Sequence, residues 1–343
     1  MKTRLLSIAL VAILLFSMVS CSFNRQLNET PEEETVMINV YALNGTTGFG
    51  MAKMMSDTKV GIGACNYTFS VQTDASNITA ALLNGSADIA ALPTNAAANI
   101  YNKSQGGVVI LAVNTLGCLY LLTNQNETVT SFENLRGKTV YVPAQNPTFI
   151  FTHLCQQNGL KVGEDIIINS STYAQPAALK DAVAAGLVDI AVLPEPMVTI
   201  AINGAKSANN GTVITNAMDL TAEWNKVAPA DSLVQGCVVV RRAFLESHPD
   251  LVETFLTEYK ASIAYLSTNI DEASQMIVDN GIFTNAAVAK KALPNCNVCF
   301  LDGDAMKTSM ETYLGILMSI APASIGGALP EANFYYARNN TAN

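Results

Sequence analysis

"GSADIAALPTNAA" occupies 85–97 and "GLVDIAVLPEPMV" occupies 186–198. Each copy begins with Gly, leaves two residues, and then reads Asp-Ile-Ala, one apolar residue and Leu-Pro. A short apolar run closed by Pro has the character of a buried strand, because Pro cannot extend a ladder. Before each copy lies a helix-like stretch ending at Gly, "NITAALLNG" (77–85) and "QPAALKDAVAAG" (175–186). Gly is the common helix stop, since it takes the left-handed conformation without strain. After each Leu-Pro a helix restarts, in "TNAAANIYNK" (94–103) and "PMVTIAINGAK" (196–206).

The parallel extends upstream. The strand "MINVYAL" (37–43), the turn "NGTTG" (44–48) and the helix "FGMAKMMSD" (49–57) correspond to "KTVYVP" (138–143), "AQNPT" (144–148) and "FIFTHLCQQNG" (149–159). Each half thus reads strand, turn, helix, strand, helix, strand, Pro turn, helix. Alternating strands and helices predict a mainly parallel sheet flanked by helices, an α/β fold. Two such halves predict two lobes. In open α/β sheets ligands sit beyond the carboxyl ends of the strands, where helix N-termini offer free N–H groups. The turns 44–48, 92–95, 143–148 and 193–196 are therefore expected to converge on one cleft.

The cysteine-bearing runs "GCLYLLTN" (117–124) and "GCVVVRR" (236–242) are expected at the two crossings between lobes. Residues 37–122 and 236–343 would form the first lobe, with a mostly helical C-terminal part, and 123–235 the second.

Composition agrees with a folded, two-lobed chain. It has 343 residues, 50% of them hydrophobic and 14% charged, which excludes a disordered protein. The net charge of −9 and the lack of a basic patch argue against nucleic acid as a partner. Lys2 and Arg4 precede "LLSIALVAILLFSMV", an apolar run too short for a membrane span and suited to a signal peptide over 1–20. It stops at "MVSCS", which resembles a bacterial lipoprotein signal with Cys21 as the lipid acceptor. The polar segment 21–36 reads as a flexible tether.

Six further cysteines could pair as three disulfides or pack as thiols; Cys118 and Cys237 lie in apolar runs, which favours packing. Cys296 and Cys299 have metal spacing, but only His153 and His248 exist to complete a zinc site, so no metal is expected. No Gly-x-Ser-x-Gly or His-Glu-x-x-His motif occurs. The glycines at 45, 48 and 50 match no phosphate loop, and neither a catalytic residue nor a cofactor is expected.

The stretches "NGTTGFG", "LPTNAAANIYNK", "NTLGCLYLL", "LRGKTVYVP", "LPEPMVT", "DLTAEWNK", "GCVVVRRAF" and "SIGGALPEANFYY", in this order, resemble the substrate-binding lipoproteins of bacterial ABC importers. The likeness is to the nitrate/sulfonate/taurine-type class with the type II periplasmic-binding-protein fold, and it covers essentially the whole mature chain. It implies an extracytoplasmic, monomeric protein, anchored to the cell membrane by lipid, that captures a small solute and delivers it to a membrane permease. A sensor without transport and a pyrimidine-synthesis-like enzyme on the same fold are the alternatives. The enzyme would need cysteines and histidines in the cleft turns, which hold none.

The expected ligand contacts are Thr46 and Thr47, Thr94 and Asn95, Gln145, Asn146 and Thr148, Glu195 and Trp224. The hydroxyls and amides stand at helix starts, where plain capping is the competing role. Glu195 is held between two prolines, and Trp224, the lone tryptophan, could stack on a ligand or pack in the core. The class would lead one to expect Lys-Gly-Pro-Thr-Gly where this chain has Asn44-Gly45-Thr46-Thr47-Gly48, and a Gly-rich, Glu-containing turn at 143–151. A relative's ligand therefore does not transfer. The four turns carry no Arg, Lys or His, so a neutral, zwitterionic or cationic nitrogen-containing solute is expected rather than a simple anion.

Overall fold

The computed structural model describes residues 36–338 except 210. The expected signal peptide, most of the tether and Cys21 lie outside the described residues. Eleven strands are described: β1 Met37–Leu43, β2 Asn66–Gln72, β3 Ile89–Pro93, β4 Val108–Thr115, β5 Leu119–Thr123, β6 Thr139–Tyr141, β7 Ile167–Asn169, β8 Ile190–Pro194, β9 Thr215–Asp219, β10 Gly236–Arg241 and β11 Val298–Leu301. They form two helix-flanked sheets, ordered β11-β4-β10-β3-β1-β2 and β7-β6-β8-β5-β9. This is the expected α/β architecture.

The repeated phrase sits at the same place in both sheets. β3 pairs in parallel with β1, setting Val40 beside Ile89, and β8 pairs in parallel with β6, setting Tyr141 beside Ala191. On its other side each repeated strand meets an antiparallel neighbour; β10 contains Cys237, and β5 follows directly on Cys118. β10 sets Val238 opposite Ala91, and β5 sets Leu121 opposite Val192. Both repeated strands are buried up to their final Pro, as a strand covered on both faces must be. A helix then starts at Thr94 in one half and at Met197 in the other.

The Asp of the phrase anchors the strand. Asp88 accepts from the backbone and side-chain amides of Asn39, each at 3.0 Å, and pairs with Arg241 at 2.8 Å. Asp189 accepts from the side chains of Asn124 at 2.5 Å and Asn126 at 3.3 Å. Neither carboxylate faces the cleft turns, so the Asp is repeated for architecture.

The structure moves one boundary. Residues 119–122, placed by sequence in the first lobe, belong to β5 in the second sheet. β8 needs an antiparallel partner on that edge, and the chain supplies it directly after crossing. The forward crossing is therefore confined to 116–118, and the return falls between the Leu220–Trp224 helix and β10. β5 and β10 are the first strands after the two crossings, with Cys118 just before β5 and Cys237 inside β10. β4, unread in the sequence, is buried along all eight residues and carries both β10 and β11.

One apolar cluster joins the sheets. It includes Ile110 and Val239 from one, Leu121 and Val192 from the other, and Met310 and Tyr313 from the Gly303–Ile320 helix. No described helix is long and apolar enough to cross a membrane.

Candidate functional site

The four turns meet in two pairs. Thr46 opens the short helix Thr46–Phe49, and its hydroxyl donates to the backbone carbonyl of Glu195 at 2.9 Å. This bond joins the first turn of one half to the Pro turn of the other. Thr47 is half-buried, and its carbonyl accepts from the side chain of Asn114 at 3.1 Å. Asn95 and Gln145, from the second pair of turns, line one cavity of about 660 Å³.

Glu195 is 4% exposed. Its carboxylate accepts from the Thr199 amide at 3.1 Å and the Thr199 hydroxyl at 2.9 Å. Both donors lie in the first turn of the helix Met197–Ala208, so the carboxylate caps that helix. Burial pushes the Glu195 carboxyl above its ordinary range; the Thr199 bonds, Lys291 and the Asn295 side chain oppose the shift. Lys291 also donates to Asn203 of the second half at 3.0 Å. Burial raises the Cys118 thiol to about 12, and Cys118 accepts the Glu195 amide on its carbonyl at 2.9 Å.

The 660 Å³ cavity is lined from both halves. Asn95, Ala96, Asn99 and Ile100 come from the Thr94–Lys103 helix, and Gln145 and Phe149 from the start of the Asn146–Gln157 helix. Residues 320–324 and Thr79 complete the wall. No lining side chain is charged. The two helices begin here; the Thr94 amide is taken by the Gln235 carbonyl and Pro147 has none, so the other N–H groups of the two first turns are the donors for a polar solute.

Several expected contacts are occupied by the fold itself. The Thr94 hydroxyl is fully buried and donates to the Val234 carbonyl at 2.7 Å, fastening the return crossing. Asn146 accepts from Tyr313 at 2.9 Å, and Thr148 donates to the Pro143 carbonyl at 2.8 Å within its own turn. Trp224 is 0% exposed and donates to Ser232 at 2.8 Å. Its ring packs against His153 and Tyr313, with centroids 5.0 and 5.9 Å away. It is a core residue where the crossing meets the second half. Burial holds His153 below its ordinary value, and its Nε2 has no hydrogen-bond partner.

Sequence reading missed Asn99, Phe149 and residues 320–324, and it missed Asn114 and Gln235 between the halves. Gln235 accepts the Cys118 amide on its side chain at 2.7 Å and bonds Thr115 and Thr94 through its backbone. "SLVQGC" offers one polar residue before an apolar strand, a weak pointer at best. Asn99 and Phe149 stand one turn inside helices whose starts were read, and the i, i+4 spacing from Asn95 and Gln145 could have found both.

Solved structures share this architecture. An ABC transporter protein from Parabacteroides distasonis is 22% identical with a TM-score of 0.73, the match covering 89% of this chain and 100% of that one. The periplasmic aliphatic sulphonate binding protein of Escherichia coli is 14% identical with a TM-score of 0.67, covering 88% and 92%. The periplasmic nitrate-binding protein of Synechocystis is 13% identical with a TM-score of 0.59, covering 85% and 84%. At these identities the likeness is one of fold. None of the curated proteins matches the chain. Residues 62–290, more than half of the sequence, match the family of periplasmic substrate-binding proteins of phosphonate ABC transporters. The chain belongs to that family and is an extracytoplasmic substrate-binding component of an ABC import system.

Proposed function

We propose that the protein is a lipid-anchored, non-enzymatic monomer that holds a small neutral or zwitterionic nitrogen-containing solute between its two halves and hands it to a permease. The observation that carries this reading is the uncharged cavity of about 660 Å³ lined by Asn95, Asn99, Gln145 and Phe149. Its size suits a small-molecule site. Amide side chains supply both donors and acceptors, and the two helix starts favour an acceptor group on the solute. A bare anion finds no Arg or Lys in this wall. Glu195 supports the reading less directly, because Thr199 already occupies both of its oxygens. A donor group reaches it only where the Thr46–Glu195 contact opens.

The family description favours a second reading, a phosphonate held by helix N-termini alone. A thermal-shift panel separates the two: alkylphosphonates, an aminoalkylphosphonate, taurine, nitrate and aminopyrimidines, with calorimetry on each hit. The first reading predicts that every hit carries an amine or ring nitrogen and that Asn95→Ala weakens it. Micromolar binding of nitrate or an amine-free alkylphosphonate overturns it in favour of the second. Anchoring is tested separately: Cys21→Ala should move the protein from the detergent phase to the aqueous phase, and equal partition of both forms contradicts a lipid at Cys21.

A further inference from the structure

A groove of about 300 Å³ lies between the Ala52–Lys59 helix and the Pro249–Thr268 helix, and no residue lines both it and the cavity that Asn95 and Gln145 share. Glu258, Ala261, Ser262 and Tyr265 line it from the longer helix, a spacing of three and four residues that sets them on one stripe. Ser262 fixes the floor. Its hydroxyl donates to the Gly50 carbonyl at 2.6 Å and accepts from the Met54 amide at 3.1 Å, so the groove is preformed. The loop 60–64 closes one end. Glu258 draws it in, accepting the Ala64 amide at 2.6 Å on one oxygen and the Tyr67 hydroxyl at 2.5 Å on the other. Lys53 closes the far end, where its Nζ stands 5.2 Å from the centroid of the Tyr265 ring.

The charges of this groove do not cancel. Lys53 is paired with Asp57, its Nζ lying 2.5 and 2.6 Å from the two carboxylate oxygens. Glu258 meets only neutral donors, and among the described residues it forms no ion pair. Burial and the bond to Glu258 push the Tyr67 hydroxyl up, so Tyr67 stays a neutral donor. Each Glu258 oxygen therefore has one donor and room for a second. A half-buried carboxylate held in this way is completed by a cation. The rest of the wall is apolar and aromatic. Ile62 leans over it while 61% exposed, so an apolar group in the groove would cover it. Tyr265 stands two helical turns from Glu258, about 10 Å along the axis.

We propose that this groove is a second binding site, separate from the cleft, for a small primary amine with an apolar or aromatic tail. The ammonium donates to Glu258, and the tail lies along Met54 and Ala261 towards Tyr265, beneath Ile62. A simple anion is disfavoured, because the one lysine of the wall is already neutralised by Asp57. An uncharged molecule of the same shape would bury the same apolar surface and leave the Glu258 carboxylate without a cation, so the charge sets the preference.

The test is calorimetry on the full chain with phenethylamine and with its uncharged isostere, 2-phenylethanol. The expected result is saturable binding of phenethylamine, with the alcohol bound roughly tenfold more weakly or worse. Glu258→Gln should lower the affinity for phenethylamine by a similar factor. Ala261→Phe fills the groove from an exposed helix position, leaves the carboxylate in place, and should abolish binding. Asn95→Ala, which alters the cleft cavity, should bind phenethylamine as wild type does. No saturable binding up to about 10 mM phenethylamine overturns the proposal, as does equal affinity for the alcohol. A site lost in Asn95→Ala and kept in Ala261→Phe also overturns it, and places the amine in the cleft instead. Should Glu258→Gln fail to fold, Ala261→Phe and the alcohol still decide the outcome.

Discussion

Trp224 and Glu195 differ from their sequence reading for the same physical reason: each is satisfied from within. Trp224 donates to Ser232 and packs on His153 and Tyr313. Trp224→Phe loses that bond and leaves a gap, so it should cost roughly 2–3 kcal/mol of stability in urea unfolding and leave solute affinity unchanged. A tenfold loss of affinity at unchanged stability contradicts the core assignment. Glu195 has a carboxyl raised by burial. Its stabilising contribution is fully present below the unfolded value of 4.5 and is lost as pH rises through the higher native value. Glu195→Gln removes that dependence. Its unfolding temperature should gain on wild type as pH rises from acid to neutral; a constant difference across that range contradicts the burial argument.

At the scale of elements, the repeated strands were legible because their signals are local. Four apolar residues, a closing Pro and a preceding Gly fix β3 and β8 and the helices around them. β4 was not read, because a continuous apolar run has no period to separate strand from buried helix. The two Asp anchors look alike in sequence and differ in burial. Asp88 is 5% exposed and pairs with Arg241, whereas Asp189 is exposed and meets only amides. Asp88→Asn should therefore cost roughly 2–3 kcal/mol, and Asp189→Asn no more than about 0.5 kcal/mol. Equal losses in chemical denaturation contradict this reading. The forward crossing is packed tightly at Gly117, where a Cβ would stand 2.3 Å from Thr221 Oγ1 and 2.5 Å from Leu233 Cδ2. Gly117→Ala should destabilise by about 1–3 kcal/mol, measured the same way. An unchanged midpoint would mean that the crossing is slack.

Across the whole molecule, the two sheets follow one plan: three parallel strands, then an antiparallel strand that the chain lays down directly after a crossing. That shared plan explains why the convergence of the turns could be read from the repeat, while the hydroxyls and amides that stay free could not. Thr94, Asn146 and Thr148 are engaged by Val234, Tyr313 and Pro143, and two of those three partners lie far away in sequence. Asn95 and Gln145 remain on the cavity wall, one from each half. If the halves build a single site, both residues must contact the same solute molecule. Calorimetric titration of wild type, Asn95→Ala and Gln145→Ala with the best ligand of the thermal-shift panel tests this directly. The predicted result is one solute per chain in wild type and a loss of roughly tenfold in affinity in each variant, about 1.4 kcal/mol. Wild-type affinity in both variants, or two independent sites per chain, would contradict the single shared cleft.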